Sequence, residues 1–516
     1  MKKKTFLCLI LTAAIFLSAF STFRNEQGMD GANVVSSVTP EDTADCGAIW
    51  TNKFSTKGIS YNSIPIMGTN GIYVVNSNIL YELSYANGQV LRQTTLKEKM
   101  NSVCNMLLEE HFLYIPLANG TMECVDINSM TSLWQSESFG GQSLSTTFYH
   151  NGYLYAGTTN VLSNSTTTGL FYCLNAKDGS TVWTYEDKDH PGGYYWSGAI
   201  VYEDALYFTG DNGILVSHSL TEPVVYDTAV LTTANIRAGL TYHKGTDALY
   251  TVAKDGTLFQ IQCTEQKITR VSSGKIMSGA NFVTCTSTPT IYNNRLYVGC
   301  MADQYGYVCV MNALTLKPIY QVKGFQNAEV KSSPLVSTRG SSTGEVTVYF
   351  SMNALPGGLY AFKDTEGKTS ASLHTLYIPQ AKQYCLSSIT ADDKGRLYYS
   401  NDSGTLFCVT LAKDIPATST PTVTSIPAAT STPTVSNSPA PAAKKSVSKP
   451  KKPYSVKVKK SKKKYKVTWK KKSKKYQTII SYRYGKGKWK KKTIKKNTAA
   501  TIKKGKKRLQ IRLRCK

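Results

Sequence analysis

The stretch FYHNGYLYAGTTNVLSNSTTTGLFYCLNAKDGSTVWTY, residues 148–185, contains one complete structural repeat. Its first part, Phe148 to Tyr155, predicts two strands joined by an Asn-Gly turn, the strongest short-range signal for a β-hairpin. Leu170 to Leu174 predicts a third strand and Thr181 to Tyr185 an outer strand, with an Asp178-Gly179 turn between them. Such apolar runs bounded by Gly, Asn and Asp are typical of strands buried between neighbouring sheets.

An aliphatic–tyrosine step in this unit recurs eight times along the chain. Successive tyrosines are 41 to 52 residues apart, which is the period of one four-stranded propeller blade. The sequence therefore predicts an all-β fold, an eight-bladed β-propeller. The alternative is seven blades, if the copy from Leu206 to Tyr226 with its Glu222-Pro223 turn is irregular. The eight tyrosines are Tyr73, Tyr114, Tyr155, Tyr207, Tyr250, Tyr297, Tyr349 and Tyr398.

The last repeat lacks an outer strand, and the start of the chain has a matching one. Leu406 to Val409 is followed directly by the linker, whereas Ala48 to Thr51 places Trp50 in the aliphatic–Trp position that Trp134 and Trp183 occupy in other repeats. We expect the strand around Trp50 to complete the last blade, because an open ring would leave an unpaired strand edge.

The repeats resemble those of the pyrroloquinoline-quinone-like (quinoprotein alcohol dehydrogenase-like) propeller proteins. The resemblance rests on strings such as LFYCLNAKDGSTVW, GGLYAFKDTEGK and RLYVG, and it covers about Cys46 to Asp414. It implies a fold rather than an activity, because the superfamily includes quinone-dependent dehydrogenases and also cofactor-free binding platforms, such as the lipoprotein of the outer-membrane assembly machinery. The dehydrogenases typically hold an adjacent Cys–Cys pair against the cofactor, and this sequence has no such pair.

Composition divides the rest of the chain. Residues 1–21 predict a secretory signal peptide, because lysines precede an apolar run from Phe6 to Phe20 and Ala19-Phe20-Ser21 is a suitable cleavage site; an uncleaved anchor is the alternative. Residues 22–45 form a leader and 46–414 the propeller. Residues 415–443 form a Pro/Thr/Ser linker that contains ATSTPTV twice, a composition that behaves as a semi-extended spacer.

The last 73 residues, 444–516, carry all of the excess positive charge. The chain has a net charge of +28, and this segment contains 33 Lys and Arg with no Asp or Glu, which leaves −5 for everything before it. Alternating apolar and basic residues in Tyr465 to Trp469, Tyr476 to Tyr484 and Leu509 to Leu513 predict half-buried strands with lysine facing water. The segment therefore predicts a small β-sandwich-like module.

From about Tyr454 onward this module resembles fibronectin type III-like modules on surface proteins of Gram-positive bacteria, on the strings KVTWKK, YQTIISYRYGKGKW and TAATIKKGKKRLQIRLRCK. Its cations favour an anionic cell-wall polymer or membrane headgroups, which they would bind with release of counterions. We expect no specific nucleic acid. The expected contacts are Lys462, Lys463, Lys464, Lys470, Lys471, Lys472, Lys490, Lys491 and Lys492.

Catalytic signals are weak in this sequence. The six histidines form no ligand-spaced pair, and no CxxC, HExxH, GxSxG or phosphate-loop pattern occurs. Asp211-Asn212-Gly213 and Asp255-Gly256 fit hairpin turns better than calcium loops. We therefore assign no catalytic, cofactor-binding or metal-binding residue and expect no cofactor.

The segment from His190 to Trp196 is the strongest candidate for a ligand-binding lip on the propeller. Exposed aromatic rings make adaptable contact surfaces, and His190, Tyr194, Tyr195 and Trp196 lie together in it. The alternative is that these rings cap the edge of a blade.

The cysteines show a structural rather than a chemical pattern. Cys124, Cys173, Cys309 and Cys408 share one position of the third strand, where Ala361 stands in another repeat, so this position is interpreted as a small buried residue and not a metal ligand. Cys285, Cys300 and the near-terminal Cys515 are the candidates for disulfide pairing.

Two functions are consistent with these features. We favour an exported, non-enzymatic protein, secreted or associated with the cell surface or cell wall, whose propeller binds an unknown protein or glycan and whose basic module holds it at the envelope. The alternative is a secreted quinoprotein-like or sugar-acting enzyme with the tail as wall anchor. Converging Asp, Glu, Asn and Arg in the central channel would indicate the enzyme, and a plain or apolar channel the binding platform.

Overall fold

The computed structural model divides the chain into two compact units, residues 1–428 and 429–516. The structure describes residues 33–55, 58–101, 105–161, 167–339, 343–415 and 423–425 of the first unit, and 454–460, 464–470, 478–484, 490–494, 499–503 and 509–515 of the second. The predicted signal peptide, nearly all of the linker, and Lys462, Lys463, Lys471 and Lys472 lie outside these residues. The described residues include no helix long and apolar enough to cross a membrane.

The first unit is an eight-bladed β-propeller, as predicted. Each blade is an antiparallel sheet of four main strands, and the repeat around Leu206 forms a regular blade rather than an irregular one. The strands of blade 1 are Ile66–Met67, Ile72–Asn76, Ile79–Leu83 and Val90–Thr95; of blade 2, Leu107–Glu109, Phe112–Pro116, Met122–Asp126 and Thr131–Gln135; of blade 3, Phe148–His150, Tyr153–Val161, Phe171–Asn175 and Thr181–Tyr185; of blade 4, Ala199–Tyr202, Ala205–Thr209, Ile214–His218 and Val225–Val230.

The second half of the ring repeats this arrangement, with longer outer strands in blades 5, 6 and 8. Short strands Gln142–Ser143 and Thr167–Thr168 extend blade 3, and Val283–Thr284 extends blade 6. The strands of blade 5 are Thr241–His243, Ala248–Val252, Thr257–Thr264 and Lys267–Lys275; of blade 6, Thr290–Tyr292, Arg295–Ala302, Tyr305–Asn312 and Pro318–Gln326; of blade 7, Leu335–Ser337, Val346–Ser351, Leu359–Asp364 and His374–Tyr377; of blade 8, Thr390–Ala391, Leu397–Asn401, Thr405–Leu411 and Cys46–Lys53.

The core consists of apolar side chains sandwiched between neighbouring blades. The tyrosine of every aliphatic–tyrosine step lies in the second strand of its blade, where it is at most 3% exposed. Both faces of these second strands are covered by adjacent blades, so the strands are apolar on both sides rather than alternating. This explains why the repeat is recognisable from short continuous apolar runs.

Each pair of neighbouring blades is joined by a side-chain hydrogen bond to a backbone carbonyl of the next blade. For donors in blades 1 to 6 and in blade 8, the acceptor lies in the turn between the third and outer strands of the next blade; for the donor in blade 7 it is Pro40 of the leader, which precedes the outer strand of blade 8. The donors and acceptors, from the 1–2 junction to the 8–1 junction, are Arg92 to Ile127, Trp134 to Ala176, Trp183 to Leu220, Ser217 to Gln266, Tyr250 to Ala313, Arg295 to Lys368, Tyr349 to Pro40, and Trp50 to Tyr85.

Two of these contacts require glycine. Gly88 and Gly179 have positive φ values of 68° and 65°, and a Cβ atom on either would lie 2.3 or 2.4 Å from the indole ring of Trp50 or Trp134. An L-residue would therefore meet both backbone strain and a steric clash at these turns. Asn87-Gly88 and Asp178-Gly179 are thus docking sites for tryptophan as well as hairpin turns.

The N-terminal strand closes the ring. Cys46–Lys53 is the outer strand of blade 8 and pairs antiparallel with Thr405–Leu411, so that Trp50 lies opposite Cys408. Trp50 is 1% exposed, and its Nε1 donates to the carbonyl of Tyr85 in blade 1 at 3.2 Å. On its outer side this strand pairs in parallel with a linker strand, Val423–Ser425.

The described part of the leader is an ordered component of the ring. Val34–Val35 pairs in parallel with the inner strand of blade 7. A short 3-10 turn, Thr43–Asp45, then leads into the closing strand, and a second one, Ala412–Asp414, follows the last strand of the propeller. Glu41 forms ion pairs with Arg339 and Lys363. The leader thereby fills the gap that the missing third-to-outer turn leaves in blade 8.

The cysteine pattern needs one correction. Cys124, Cys173 and Cys408 lie opposite the repeat tyrosine of their blades, but Cys309 lies opposite Val298, and Val310 faces Tyr297 instead. Cys309 therefore does not belong to the shared position. Cys285 and Cys300 are free and buried, and the sulfur of Cys300 is 3.7 Å from that of Cys309.

The second unit contains two three-stranded antiparallel sheets. One has the order Tyr454–Lys460, Lys464–Lys470, Ala499–Lys503, and the other Lys490–Ile494, Thr478–Tyr484, Leu509–Cys515. Val467 and Ile502 are buried on the first sheet and Ile480 on the second. Strands lie at the predicted positions, whereas the half-buried pattern and the likeness to fibronectin type III remain predictions.

We predict that Trp50→Ala lowers the free energy of unfolding of the propeller by about 3–5 kcal/mol, because truncation of a buried aromatic leaves a cavity. Chemical denaturation followed by circular dichroism measures the loss. The matched control is Leu133→Ala, since Leu133 also lies on an outer strand but is 49% exposed. A loss no larger for Trp50→Ala than for the control would show that ring closure does not depend on this contact.

Candidate functional site

A cavity lies on the axis of the propeller, at the face formed by the segments that precede the first strand of each blade. Its empty volume is about 460 Å³, including space open to solvent, and the centres of water molecules can occupy about 40 Å³ of it, which gives room for about three water molecules. Every blade contributes to the wall. The lining residues are Ile64, Asn105, Leu144, Thr146, Trp196, Arg237, Thr286, Thr288, Lys331, Ser333 and Leu386.

These lining residues occupy two positions that are equivalent from blade to blade. Each lies two or four residues before the inner-strand residue that pairs with the repeat tyrosine, such as Ile200 opposite Tyr207 or Thr241 opposite Tyr250. Because side chains of an extended segment alternate in direction, residues at these two positions point the same way. The strand pairing of each blade therefore directs one or two side chains towards the axis.

Hydroxyl groups connect the wall from blade to blade. Thr288 Oγ1 accepts from the Gly239 amide at 2.9 Å, Ser333 Oγ accepts from the Thr288 amide at 3.0 Å, and Ser388 Oγ accepts from the Ser333 amide at 3.0 Å. These bonds tie blades 5 to 8 together around the cavity. The contacts between neighbouring blades that close the ring therefore also position the residues of the cavity wall.

Trp196 is the aromatic component of the cavity. Its backbone φ is +62°, a left-handed conformation that bulky residues rarely adopt. Its Nε1 is buried and has no hydrogen-bond partner among the residues that the structure describes. The ring of Tyr195 lies edge-on to that of Trp196, at 4.8 Å between centroids. Strain of this kind persists where the surroundings require one conformation, and it often marks a site.

Two cations line the cavity, and each is held by a carboxylate. Arg237 donates from Nε and Nη2 to both oxygens of Asp211, at 2.9 and 3.1 Å, and its guanidinium lies 4.3 Å from the centroid of the Tyr195 ring. Lys331 Nζ is 3.2 Å from Glu329 and 5.7 Å from the centroid of Trp196. Aromatic rings and carboxylates together fix the direction of both positive groups.

The channel chemistry suits binding better than acid–base catalysis. Asp211 and Glu329 are each neutralised by a neighbouring cation, so no free pair of carboxylates is available for proton transfer. Within the described residues, no group of three or more His, Cys, Asp or Glu side chains is placed to hold a metal ion. The channel is nevertheless not plain, because Asn105, Arg237 and Lys331 converge on it.

The four residues expected in the ligand lip are separated by the structure. Trp196 lines the cavity, and Tyr195 lies behind the lining, against Trp196 and Arg237. Tyr194 is only 3% exposed and packs in the core against Phe171, so the expectation of an exposed ring fails at this position. His190 is exposed and lies 3.6 Å from Asp187.

Sequence reasoning missed Arg237, Lys331 and Asn105. The signal that would have found them is the position two or four residues before the inner strand, once the repeats are aligned on their tyrosines. Residue types at this position differ in every blade, so no repeated motif marks it.

Four exposed apolar side chains lie on loops of blades 7, 8 and 1, and two of these loops lead to the cavity-lining residues Ile64 and Leu386. We call this group the apolar rim and define it by Ile59, Tyr61, Leu355 and Tyr384, which are 59%, 43%, 60% and 46% exposed. Asp402 joins its parts, since its amide donates to the carbonyl of Tyr384 and its carbonyl accepts from the amide of Ser60, both at 2.8 Å. Burial raises the pKa of the Asp402 carboxyl to about 6. The rim thus combines exposed apolar side chains with one carboxyl that is hard to ionise.

A family model described as outer membrane protein assembly factor BamB matches residues 30–185, which is less than a third of the 516 residues. No curated protein sequence matches the chain. The predicted pyrroloquinoline-quinone-like propeller is supported by this match and by solved structures.

Three solved structures share the fold at low sequence identity. BamB from Moraxella catarrhalis is 13% identical with a TM-score of 0.52, over 71% of this chain and 99% of that one. Quinohemoprotein alcohol dehydrogenase ADHIIG from Pseudomonas putida HK5 is 10% identical with a TM-score of 0.58, over 84% and 83%. Quinohemoprotein alcohol dehydrogenase from Comamonas testosteroni is 11% identical with a TM-score of 0.54, over 73% and 78%. At these identities the likeness shows the fold alone.

We predict that the stability of the protein falls as the pH rises from about 4 to 6, in part because of Asp402. Burial raises its pKa from 3.8 to about 6, so within this window the folded state keeps a proton that the unfolded state has lost. Asp402→Asn removes this contribution and should gain stability relative to wild type towards pH 7. Chemical denaturation at pH 4.5 and 7 measures the difference, with exposed Asp393→Asn as control. An unchanged difference between wild type and Asp402→Asn at the two pH values would contradict the prediction.

Proposed function

We propose that this protein is an exported, non-catalytic propeller that binds a protein or glycan partner and is held at the cell envelope by its basic C-terminal module. The observation that carries the first half is the face with the axial cavity and the apolar rim. It offers aromatic, cationic and apolar groups for contact, whereas the two carboxylates beside the cavity, Asp211 and Glu329, are already paired with Arg237 and Lys331. Exposed aromatic and arginine groups next to apolar surface are typical of protein-binding sites.

The strand register of the basic module supports the second half. Lys464 pairs with Lys503, and Lys459 pairs with Lys466, directly across neighbouring strands. Like charges placed directly opposite one another destabilise a sheet. A polyanion would relieve this repulsion, so the module is suited to an anionic cell-wall polymer or to acidic headgroups. Lys464 and Lys490, two of the expected contacts, are exposed.

The alternative, a quinoprotein-like enzyme, fits the cavity poorly. The quinone cofactor and calcium of such enzymes need a flat, wide space and several oxygen ligands. Here the centres of water molecules can occupy about 40 Å³, and Asp211, a carboxylate beside the cavity, is held by Arg237 through both oxygens. The residues present do not fit this cofactor, and we derive no reaction through it.

We predict that the full-length protein binds isolated Gram-positive cell walls through residues 444–516 and that a chain ending at Ala443 does not. Sedimentation with walls measures binding, and cell fractionation measures retention. Because many counterions are released together, affinity should fall by about a thousandfold or more between 0.05 and 0.2 M salt.

A charge-reversed variant tests whether the lysine side chains are responsible for this binding. Changing Lys462, Lys463, Lys464, Lys470, Lys471 and Lys472 to glutamate should weaken binding broadly, whereas the same six changes to arginine should preserve it and serve as the control. Retention of the chain ending at Ala443 on cells would indicate an uncleaved N-terminal anchor instead.

We predict that pyrroloquinoline quinone with calcium does not stabilise the purified protein. Thermal unfolding with and without both components measures the effect, and the absorbance of the purified protein reports any bound quinone. The expected result is an unchanged melting temperature. A stabilisation of about 2.7 kcal/mol, as expected for a ligand at a hundredfold excess over its Kd, would favour the dehydrogenase alternative.

A further inference from the structure

The polar groups left over at the axial cavity are mainly hydrogen-bond donors. Trp196 Nε1 is buried without a partner in the described part of the chain. Arg237 donates from Nε and Nη2 to Asp211, which leaves Nη1 available. Lys331 has three N–H groups and one carboxylate neighbour, Glu329. The cavity therefore offers N–H groups from three blades to a ligand.

The hydrogen-bond acceptors near the cavity do not use up these N–H groups. Asp211 is used on both oxygens by Arg237, and one of these oxygens also accepts from the Thr167 hydroxyl at 2.9 Å. Glu329 faces Lys331 but is not part of the cavity wall, and its buried Oε1 has no partner within the described ranges. Thr286 Oγ1, on the wall itself and 9% exposed by residue, also lacks a described partner and is able to donate.

The opposite part of the wall carries three aliphatic side chains beside the polar residues Asn105 and Thr146. Ile64, Leu144 and Leu386 come from blades 1, 3 and 8 and line the same cavity. The centres of water molecules can occupy about 40 Å³ of the cavity, which gives room for about three water molecules. A ligand group that fits must therefore be small, accept several hydrogen bonds and continue into a short hydrocarbon chain.

We propose that the axial cavity binds one aliphatic carboxylate, with Trp196, Arg237 and Lys331 around the oxygens and the leucine and isoleucine side chains around the methylene groups. A glutamate side chain of a partner protein has this chemistry, and the partner's apolar residues would then rest on the apolar rim. The proposal rests on the proposed binding function and names the chemistry that the propeller recognises. The strained backbone of Trp196 is explained as the means of holding its N–H towards the ligand.

Fluorine NMR of the full-length protein labelled with 5-fluorotryptophan tests the proposal. The chain has six tryptophans, so each gives its own signal; Trp196→Phe identifies the signal of Trp196. The probes are acetyl-Ala-Glu-Ala-amide, its glutamine counterpart, propionate and inorganic phosphate, in 0.15 M salt. Trp469 and Trp489 lie in the basic segment, so their signals report non-specific binding to the tail.

The glutamate peptide should shift the Trp196 signal in a saturable way, and its affinity should exceed that of the glutamine peptide by about tenfold or more, since hydrogen bonds to a charged group are worth 1.5–3 kcal/mol. Lys331→Gln should weaken this binding by a similar factor. Lys382→Gln is the matched control, because Lys382 is exposed on the same loop as Tyr384 and is not part of the cavity wall. Unchanged signals of the other tryptophans show that the variants are folded.

The remaining outcomes separate the sources of the carboxylate. Tighter binding of the peptide than of propionate assigns the site to an acidic side chain, and the reverse assigns it to a small free acid; both support the proposal. Equal binding of the two peptides, no shift of Trp196, preference for phosphate, or no effect of Lys331→Gln would overturn it. Because this measurement uses purified protein, it does not depend on attachment to the envelope, and failure of either proposal can be recognised separately.

Discussion

The hydrogen bond from a side chain of one blade to a backbone carbonyl of the next is the contact on which this structure depends. A single four-stranded blade has two apolar faces and cannot be stable in water, so each blade needs a neighbour at a fixed distance and angle. Apolar packing alone does not fix that angle. A directional bond to one buried carbonyl does, and it also satisfies a group that would be costly to leave unpaired.

The side chains that donate these hydrogen bonds differ in type from junction to junction, although the acceptor is equivalent. Tryptophan, tyrosine, arginine and serine reach the equivalent acceptor at different junctions. At the junction of blades 7 and 8 the equivalent turn does not exist, because the outer strand of blade 8 comes from the N-terminus. The leader replaces it, and Tyr349 donates to the carbonyl of Pro40 at 2.5 Å. A segment that lacks repeat character is therefore part of the ring.

Much of the fold could be predicted from the sequence, because a blade is specified by local signals: short apolar strands, turn residues and a period of 41 to 52 residues. The assignment of Cys309 was wrong because a shift of one residue in strand pairing leaves the apolar pattern unchanged while it reverses the direction of every side chain. The cavity was only partly predictable. Trp196 stood out as an aromatic residue, but Arg237 and Lys331 become neighbours only through the closed ring.

The closing strand also determines the order in which the molecule can form. The partner of Cys46–Lys53 is Thr405–Leu411, so this early strand must wait until more than 350 further residues have left the ribosome or an export channel. Contacts so distant in sequence form slowly, because closure of a long loop costs entropy before any contact compensates for it. Until then Cys46–Lys53 and the ring of Trp50 are uncovered. A chain interrupted before its last blade would leave this strand without its partner and open to other chains, and aggregation rather than a shorter propeller is its expected fate.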